Sequence, residues 1–285
     1  MVDAANQIVY LNGNYSALQD TKISVLDRGF LFGDGIYEVI PVYNGHIFHF
    51  NRHFTRLENN LRTIQLPLPF DAQQLKDIIK QLLGGEKQES VYVQITRGVA
   101  RRDHGFPESV NPTVFVMAST VIQGQKHGIA CITLEDDRWQ HCDIKTIALL
   151  PNVLLRQQAH NQNADEAILI RNGFVTEGAA SNVFIVIDKQ IITTPKSQYI
   201  LPGVTRDILI ELAENSGLQV LQRQFTEQEL MNASEIWITS STKEIVPVIR
   251  INDQPVSNGT SGVVWQQINT LFQTHKQTLI QQEND

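Results

Sequence analysis

Residues 35–50 read GIYEVIPVYNGHIFHF: two runs rich in β-branched and aromatic side chains, 35–43 and 46–50, on either side of Asn44-Gly45. An Asn-Gly pair accepts the positive φ angles of a two-residue hairpin loop, so this stretch predicts antiparallel neighbours. The signature recurs upstream, where residues 7–11 and 14–18 flank Asn12-Gly13. Downstream, residues 51–64 carry Phe54, Leu57, Leu61 and Ile64 at helical spacing. Asp71 then caps a second helix with Leu75, Ile78, Ile79, Leu82 and Leu83 on one face, and Gly84-Gly85 ends it. Two further strands, 90–96 and 113–117, bracket a polar loop at 97–111.

Hydrophobic patterning lapses at residues 119–126, a stretch made mostly of Ser, Thr, Gln, Gly and Lys. That lapse marks a linker between a small N-terminal α/β domain, 1–118, and a larger domain, 127–285. The larger domain reads as strands at 128–134, 144–149, 166–170, 174–177, 182–187, 190–194 and 235–238, with turns at Asn172-Gly173 and Asp188-Lys189. Its helices fall at 152–161, 205–215 and 262–281. Strands and helices do not alternate regularly, so an α+β fold with mixed or antiparallel sheets fits better than a βαβ array.

Composition narrows the function. The 23 Lys and Arg against 30 Asp and Glu leave a charge of -7, with no basic block to neutralise a run of phosphates, so nucleic acid is not expected as a partner. The apolar stretch around 147–155 is broken by Pro151 and Asn152, well short of the roughly 18 residues of a membrane helix. Cys131 and Cys142 cannot build a disulfide framework, and the first residues lack a basic region followed by an apolar one. A cytoplasmic setting is the expectation.

Several residues could carry chemistry. Lys145 sits among apolar neighbours in CDIKTIAL, either as an edge-strand lysine reaching for water or as a desolvated, nucleophilic amine able to form a Schiff base. Glu177 enters the small-residue run Gly178-Ala179-Ala180-Ser181, where a flat ligand could approach the backbone; the alternative is a solvent-facing turn glutamate. Val204 and Thr205 open a helix, with Thr205 as its expected N-cap, and present amides at its positive end. Ser241, within Thr239-Ser240-Ser241-Thr242, and the fork of Arg56 are further candidates for one phosphate. Arg102 and His104 on the polar loop form either a carboxylate clamp or a solvated charge cluster. His46, His49 and His53 lack the fourth converging ligand of a closed metal site, and no metal is expected.

In order and spacing, the stretches DRGFLFGDGIYE (27–38), Arg102/His104, Asp143-Ile144-Lys145 and TEGAASNVF (176–184) resemble the fold-type IV pyridoxal-phosphate aminotransferases, most closely the D-amino acid aminotransferases. The likeness runs along essentially the whole chain. It implies a barrel-like core in the larger domain and pyridoxal 5'-phosphate as cofactor. Lys145 would be the catalytic Schiff-base lysine and Glu177 the partner of the pyridine nitrogen. Arg56, Val204, Thr205 and Ser241 would hold the phosphate, and Leu201 would pack near the ring. Tyr37, Arg102 and His104 would trap the substrate carboxylate, the Arg/His loop arriving from the neighbouring subunit of a homodimer. The implied reaction takes a donor such as D-alanine and 2-oxoglutarate to pyruvate and D-glutamate. The alternatives on the same fold are branched-chain or (R)-amine transamination and aminodeoxychorismate lyase chemistry.

Overall fold

Asn44 and Gly45 both take positive φ, 49° and 83°, and turn strand β3 (Gly35–Tyr43) into β4 (His46–Ile47). The second strand is shorter than the sequence predicts. His49 enters the left-handed region at φ 49° and serves as N-cap of helix α2 (Phe50–Thr63), so Phe50 belongs to the helix.

The computed structural model describes residues 6–121 and 128–282. The chain forms two compact units, one of Met1–Ile122 with Ile144–Ala148 and one of Gln123–Asp143 with Leu149–Asp285. Of the expected linker, Ser119 and Thr120 end a strand, and residues 122–126 lie outside the described residues.

The first unit holds an antiparallel sheet. Its strands are β1 (Ile8–Leu11), β2 (Asn14–Ala17), β3, β4, β5 (Gln88–Thr96) and β6 (Thr113–Thr120), in the order β2-β1-β6-β5-β3-β4. Pleat parity puts Ile36, Glu38, Ile40 and Val42 on the buried side of β3. Helices α2 and α3 (Ala72–Leu82) contribute Leu57, Leu61, Leu75 and Ile79, each no more than 1% exposed, to the core. Truncating any one to alanine would cost about 2–5 kcal/mol. The predicted cap of α3 forms a full capping box, Asp71 and Gln74 exchanging bonds of 2.8 Å. A short helix the sequence did not announce, α1 (Arg28–Phe32), precedes β3.

Residues 144–149, expected as a strand, are not one. The segment is an irregular run whose sole ladder contact is an isolated bridge from Thr146 to Ile36, with the Tyr37 amide donating to the Lys145 carbonyl at 2.9 Å. Its apolar residues are anchored on β3, and Ile144 packs against the first unit's core.

The second unit carries a mixed sheet of β7 (Ile129–Glu135), β8 (Glu166–Arg171), β9 (Phe174–Gly178), β10 (Asn182–Ile187), β11 (Gln190–Thr193), β12 (Val220–Gln222), β13 (Glu235–Ser240) and β14 (Glu244–Ile251). Their order is β12-β11-β10-β13-β14-β7-β8-β9, and β15 (Gln254–Pro255) pairs with β14. The pairs β7/β8, β7/β14 and β11/β12 are parallel and the rest antiparallel. Helices α4 (Leu150–Asn161), α5 (Val204–Asn215), α6 (Glu227–Met231) and α7 (Val263–Gln282) complete the unit. No helix among the described residues is long and apolar enough to cross a membrane.

Candidate active site

In the first unit, the Lys145 ammonium lies 4.0 Å from the centre of the Tyr37 ring, which in turn packs on Tyr92 at 5.6 Å. Lys145 is half-buried rather than snorkelling from an edge strand. Next to Tyr37, Glu38 is wholly buried. Its carboxylate accepts from Arg56 Nε and Nη2 at 2.9 and 2.6 Å and meets His53 Nδ1 at 3.1 Å. Burial would raise the Glu38 carboxyl, but the Arg56 charge and the His53 contact overcome it and hold it below the usual carboxylate range. Burial also holds the His53 imidazole below its ordinary pKa, against the pull of Glu38. Facing a group that only accepts, the neutral ring donates from Nδ1. Arg56 is therefore placed by its own strand-to-helix network, and Lys145 adds to the positive field around His53.

Arg102 and His104 are exposed on the loop. They flank Phe32, the Arg102 guanidinium and the His104 ring each 5.5 Å from that ring's centre, and neither contacts Tyr37 within this chain.

In the second unit, Glu177 ends β9 buried, not in a solvent-facing turn. One carboxylate oxygen accepts from Arg138 Nη1 at 2.7 Å, the other from Asn182 Nδ2 at 3.1 Å and the Leu201 amide at 3.0 Å. Asn182 Nδ2 also donates to the Leu201 carbonyl at 2.9 Å, so Leu201 is tied to Glu177 through two bonds. Burial outweighs these donors and pushes the Glu177 carboxyl up to about 7. Asp136 takes the rest of the Arg138 fork, at 2.9 and 3.0 Å.

Helix α5 starts one residue earlier than predicted. Its N-cap is Gly203, not Thr205, and no side chain caps its first amides. Val204 and Thr205 are buried in its first turn, α5 packs against β13, and Ser241 lies half-buried in the turn after that strand. Glu38, His53, Arg138 and Asn182 escaped sequence reading. Glu38 alone left a usable sign, an acid on the apolar parity of β3.

The family profile described as amino-transferase class IV matches residues 35–251. The chain belongs to the class IV aminotransferases. It is 37% identical over 270 residues to the D-alanine aminotransferase of Bacillus licheniformis, covering 93% of this chain and 95% of that one. It is 38% identical over 270 residues to that of Staphylococcus haemolyticus, covering 93% and 96%. Among solved structures, a branched-chain amino acid aminotransferase complexed with N-(5'-phosphopyridoxyl)-L-glutamate, its source given as T.th., superposes with a TM-score of 0.87 at 25% identity, covering 94% of this chain and 93% of that one. The α+β architecture is that of fold-type IV, and the chain is an aminotransferase.

The second unit's residues fit the cofactor this class uses. The Thr239 hydroxyl is buried with no hydrogen-bond partner, and the amides at the start of α5 lack a capping side chain. A Cβ at Gly203 would stand 2.0 Å from Asn182 Oδ1, so the backbone there comes as near its neighbour as only glycine permits. Unused donors and a buried carboxylate suit a phosphate and a ring nitrogen respectively.

Proposed function

We propose that this aminotransferase acts on D-amino acids through pyridoxal 5'-phosphate, with D-alanine or a similar donor and 2-oxoglutarate as acceptor. The observation that carries the reading is the Arg102/His104 pair standing exposed on one loop in a chain 37–38% identical to D-alanine aminotransferases. When bound, the cofactor supplies an electron sink for charge developing at the substrate Cα.

Lys145 is the cofactor's covalent anchor and, once released, the base that takes the proton from Cα. Its amine beside the Tyr37 face is restrained in direction, which favours a defined proton path. Glu177 holds negative charge opposite the ring nitrogen and keeps that nitrogen protonated. Meeting a cation there would draw the Glu177 carboxyl back down from about 7, so its charge forms when it is needed. Arg56, the Val204 and Thr205 amides and Ser241 take the phosphate, and Leu201 lies by the ring. Tyr37, with Arg102 and His104 from a second subunit, takes the substrate carboxylate, which makes the working form a homodimer. The two cysteines, free and buried, suit a reducing cytoplasm.

A second reading, branched-chain transamination, draws on the fold likeness to branched-chain enzymes. A visible spectrum of the purified protein separates the two. Bleaching of a yellow band by D-alanine alone supports the D-specific reading, bleaching by L-amino acids alone transfers it to the branched-chain reading, and no band even with added cofactor overturns both.

A further inference from the structure

Arg28 is buried, 3% exposed, and the proposed chemistry gives it no task. Its counter-charge is Asp34, whose Oδ2 accepts from Arg28 Nε at 2.7 Å and equally from Arg97 Nε at 2.8 Å. The two guanidiniums hold the Asp34 carboxyl below its ordinary range despite its burial. One anion thus faces two buried cations. A buried charge without full compensation is costly, so the remaining donors must find acceptors.

They find backbone carbonyls. Arg97 reaches the Ile64 and Gln65 oxygens at 2.7 and 3.1 Å. Arg28 spends its whole remaining fork on three successive residues of the Arg/His loop. Nη1 donates to the Asp103 and Gly105 oxygens at 2.6 and 3.2 Å, and Nη2 to the His104 oxygen at 3.5 Å. No helix or strand shapes residues 101–106, and their side chains are exposed. Carbonyl dipoles converging on a fixed cation therefore set this backbone.

The base of the tether is rigid. Asp27 caps α1 through the Gly29 amide at 2.8 Å and also accepts from Thr96 and Thr113 hydroxyls at 2.8 and 2.6 Å, binding α1 to β5 and β6. A Cβ at Gly29 would lie 2.3 Å from Thr96 Cγ2, so α1 sits directly on the sheet. One turn along the same helix face, Phe32 lies 4.9 Å from the Arg28 guanidinium and contacts both Arg102 and His104. At the loop's far side, the Arg97 guanidinium stacks 3.7 Å from the Phe106 ring centre.

We infer that Arg28 is a positioning residue for substrate recognition: it fixes the backbone at 103–105 so that Arg102 and His104 are presented in one geometry to the substrate carboxylate. The inference rests on the reading of Arg102 and His104 as carboxylate binders. Arg28 touches no reacting atom and acts through the loop alone.

The test is steady-state kinetics on the cofactor-loaded enzyme with Arg28→Gln, Arg28→Lys, Arg102→Ala and Arg28→Gln/Arg102→Ala. Lysine keeps a charge on Asp34 but lacks a planar fork for three carbonyls, so it carries the comparison if the glutamine variant does not fold. The expected result is a rise in KM for both D-alanine and 2-oxoglutarate of about 10- to 100-fold, the scale of a misplacement on the order of 1 Å. Turnover at saturation and cofactor absorbance stay near wild type. The double variant is no worse than Arg102→Ala, because the tether has nothing left to place. Unchanged KM in both Arg28 variants while Arg102→Ala raises it overturns this inference alone, as do effects that multiply in the double variant. Unchanged KM in Arg102→Ala overturns the carboxylate reading itself.

Discussion

Replacing Glu177 by glutamine tests the chemistry and the electrostatics together. The carboxylate accepts three bonds, from Arg138 on one oxygen and from Asn182 and the Leu201 amide on the other. A glutamine amide accepts through one oxygen only and turns its NH2 either on two donors or on Arg138, a loss of about 1–3 kcal/mol at all pH values. The pH-dependent part is larger. Burial lifts the Glu177 carboxyl from its ordinary 4.5 to about 7. The folded chain thus keeps a proton that the unfolded chain sheds across that window, so wild-type stability falls as pH rises from about 4.5 to about 7. At about 1.4 kcal/mol per pKa unit, the fall from this group is about 3 kcal/mol. Glutamine does not titrate and removes that slope. Urea unfolding of cofactor-free protein at pH 5, 6, 7 and 8 should show wild type losing its advantage over Glu177→Gln by about 3 kcal/mol between the ends of the series. Parallel stability curves for the two proteins would refute the raised value, and with it the idea that the charge forms in response to the ring nitrogen.

Lys145→Ala should lose turnover of D-alanine with 2-oxoglutarate by at least about 10²–10⁴-fold in a coupled pyruvate assay, with its circular dichroism unchanged. Glu38→Leu leaves the Arg56 guanidinium buried against an apolar side chain. A loss of about 3–5 kcal/mol is expected in chemical denaturation, together with weaker cofactor retention on dialysis. Gly203→Ala drives a Cβ into Asn182 Oδ1, whose amide holds Glu177 and Leu201. Absorbance after dialysis should show cofactor released more readily than from wild type.

Local chemistry was legible where it acts over a few residues. Asn44-Gly45 specifies its turn because both positions need positive φ, and Asp71 caps α3 because Gln74 stands three residues on. Residues 144–149 misled because an apolar run looks the same whether it pairs along a ladder or is laid on β3 by one bridge. Strand β14 stayed hidden because Pro247 sits inside it, opposite Trp237, where proline is rarely tolerated. At the candidate site, Lys145 and Glu177 could be named from their neighbours. The partners that give them their environment could not, since Arg138 lies 39 residues from Glu177 and Glu38 meets Arg56 only once α2 has folded onto β3.

The placement of Ile144–Ala148 with the first unit affects how the gene can be cut. Thr146 bonds to Gly35 across 111 residues of sequence, and the part of the second unit that precedes residue 144 must leave the ribosome before that bond can form. A fragment stopping at residue 122 would carry Tyr37, Glu38 and Arg56 but no lysine at position 145. A fragment starting at residue 123 would carry that lysine without the strand that anchors it. Complementation between two separately expressed halves should therefore fail unless the first half is extended through Ala148.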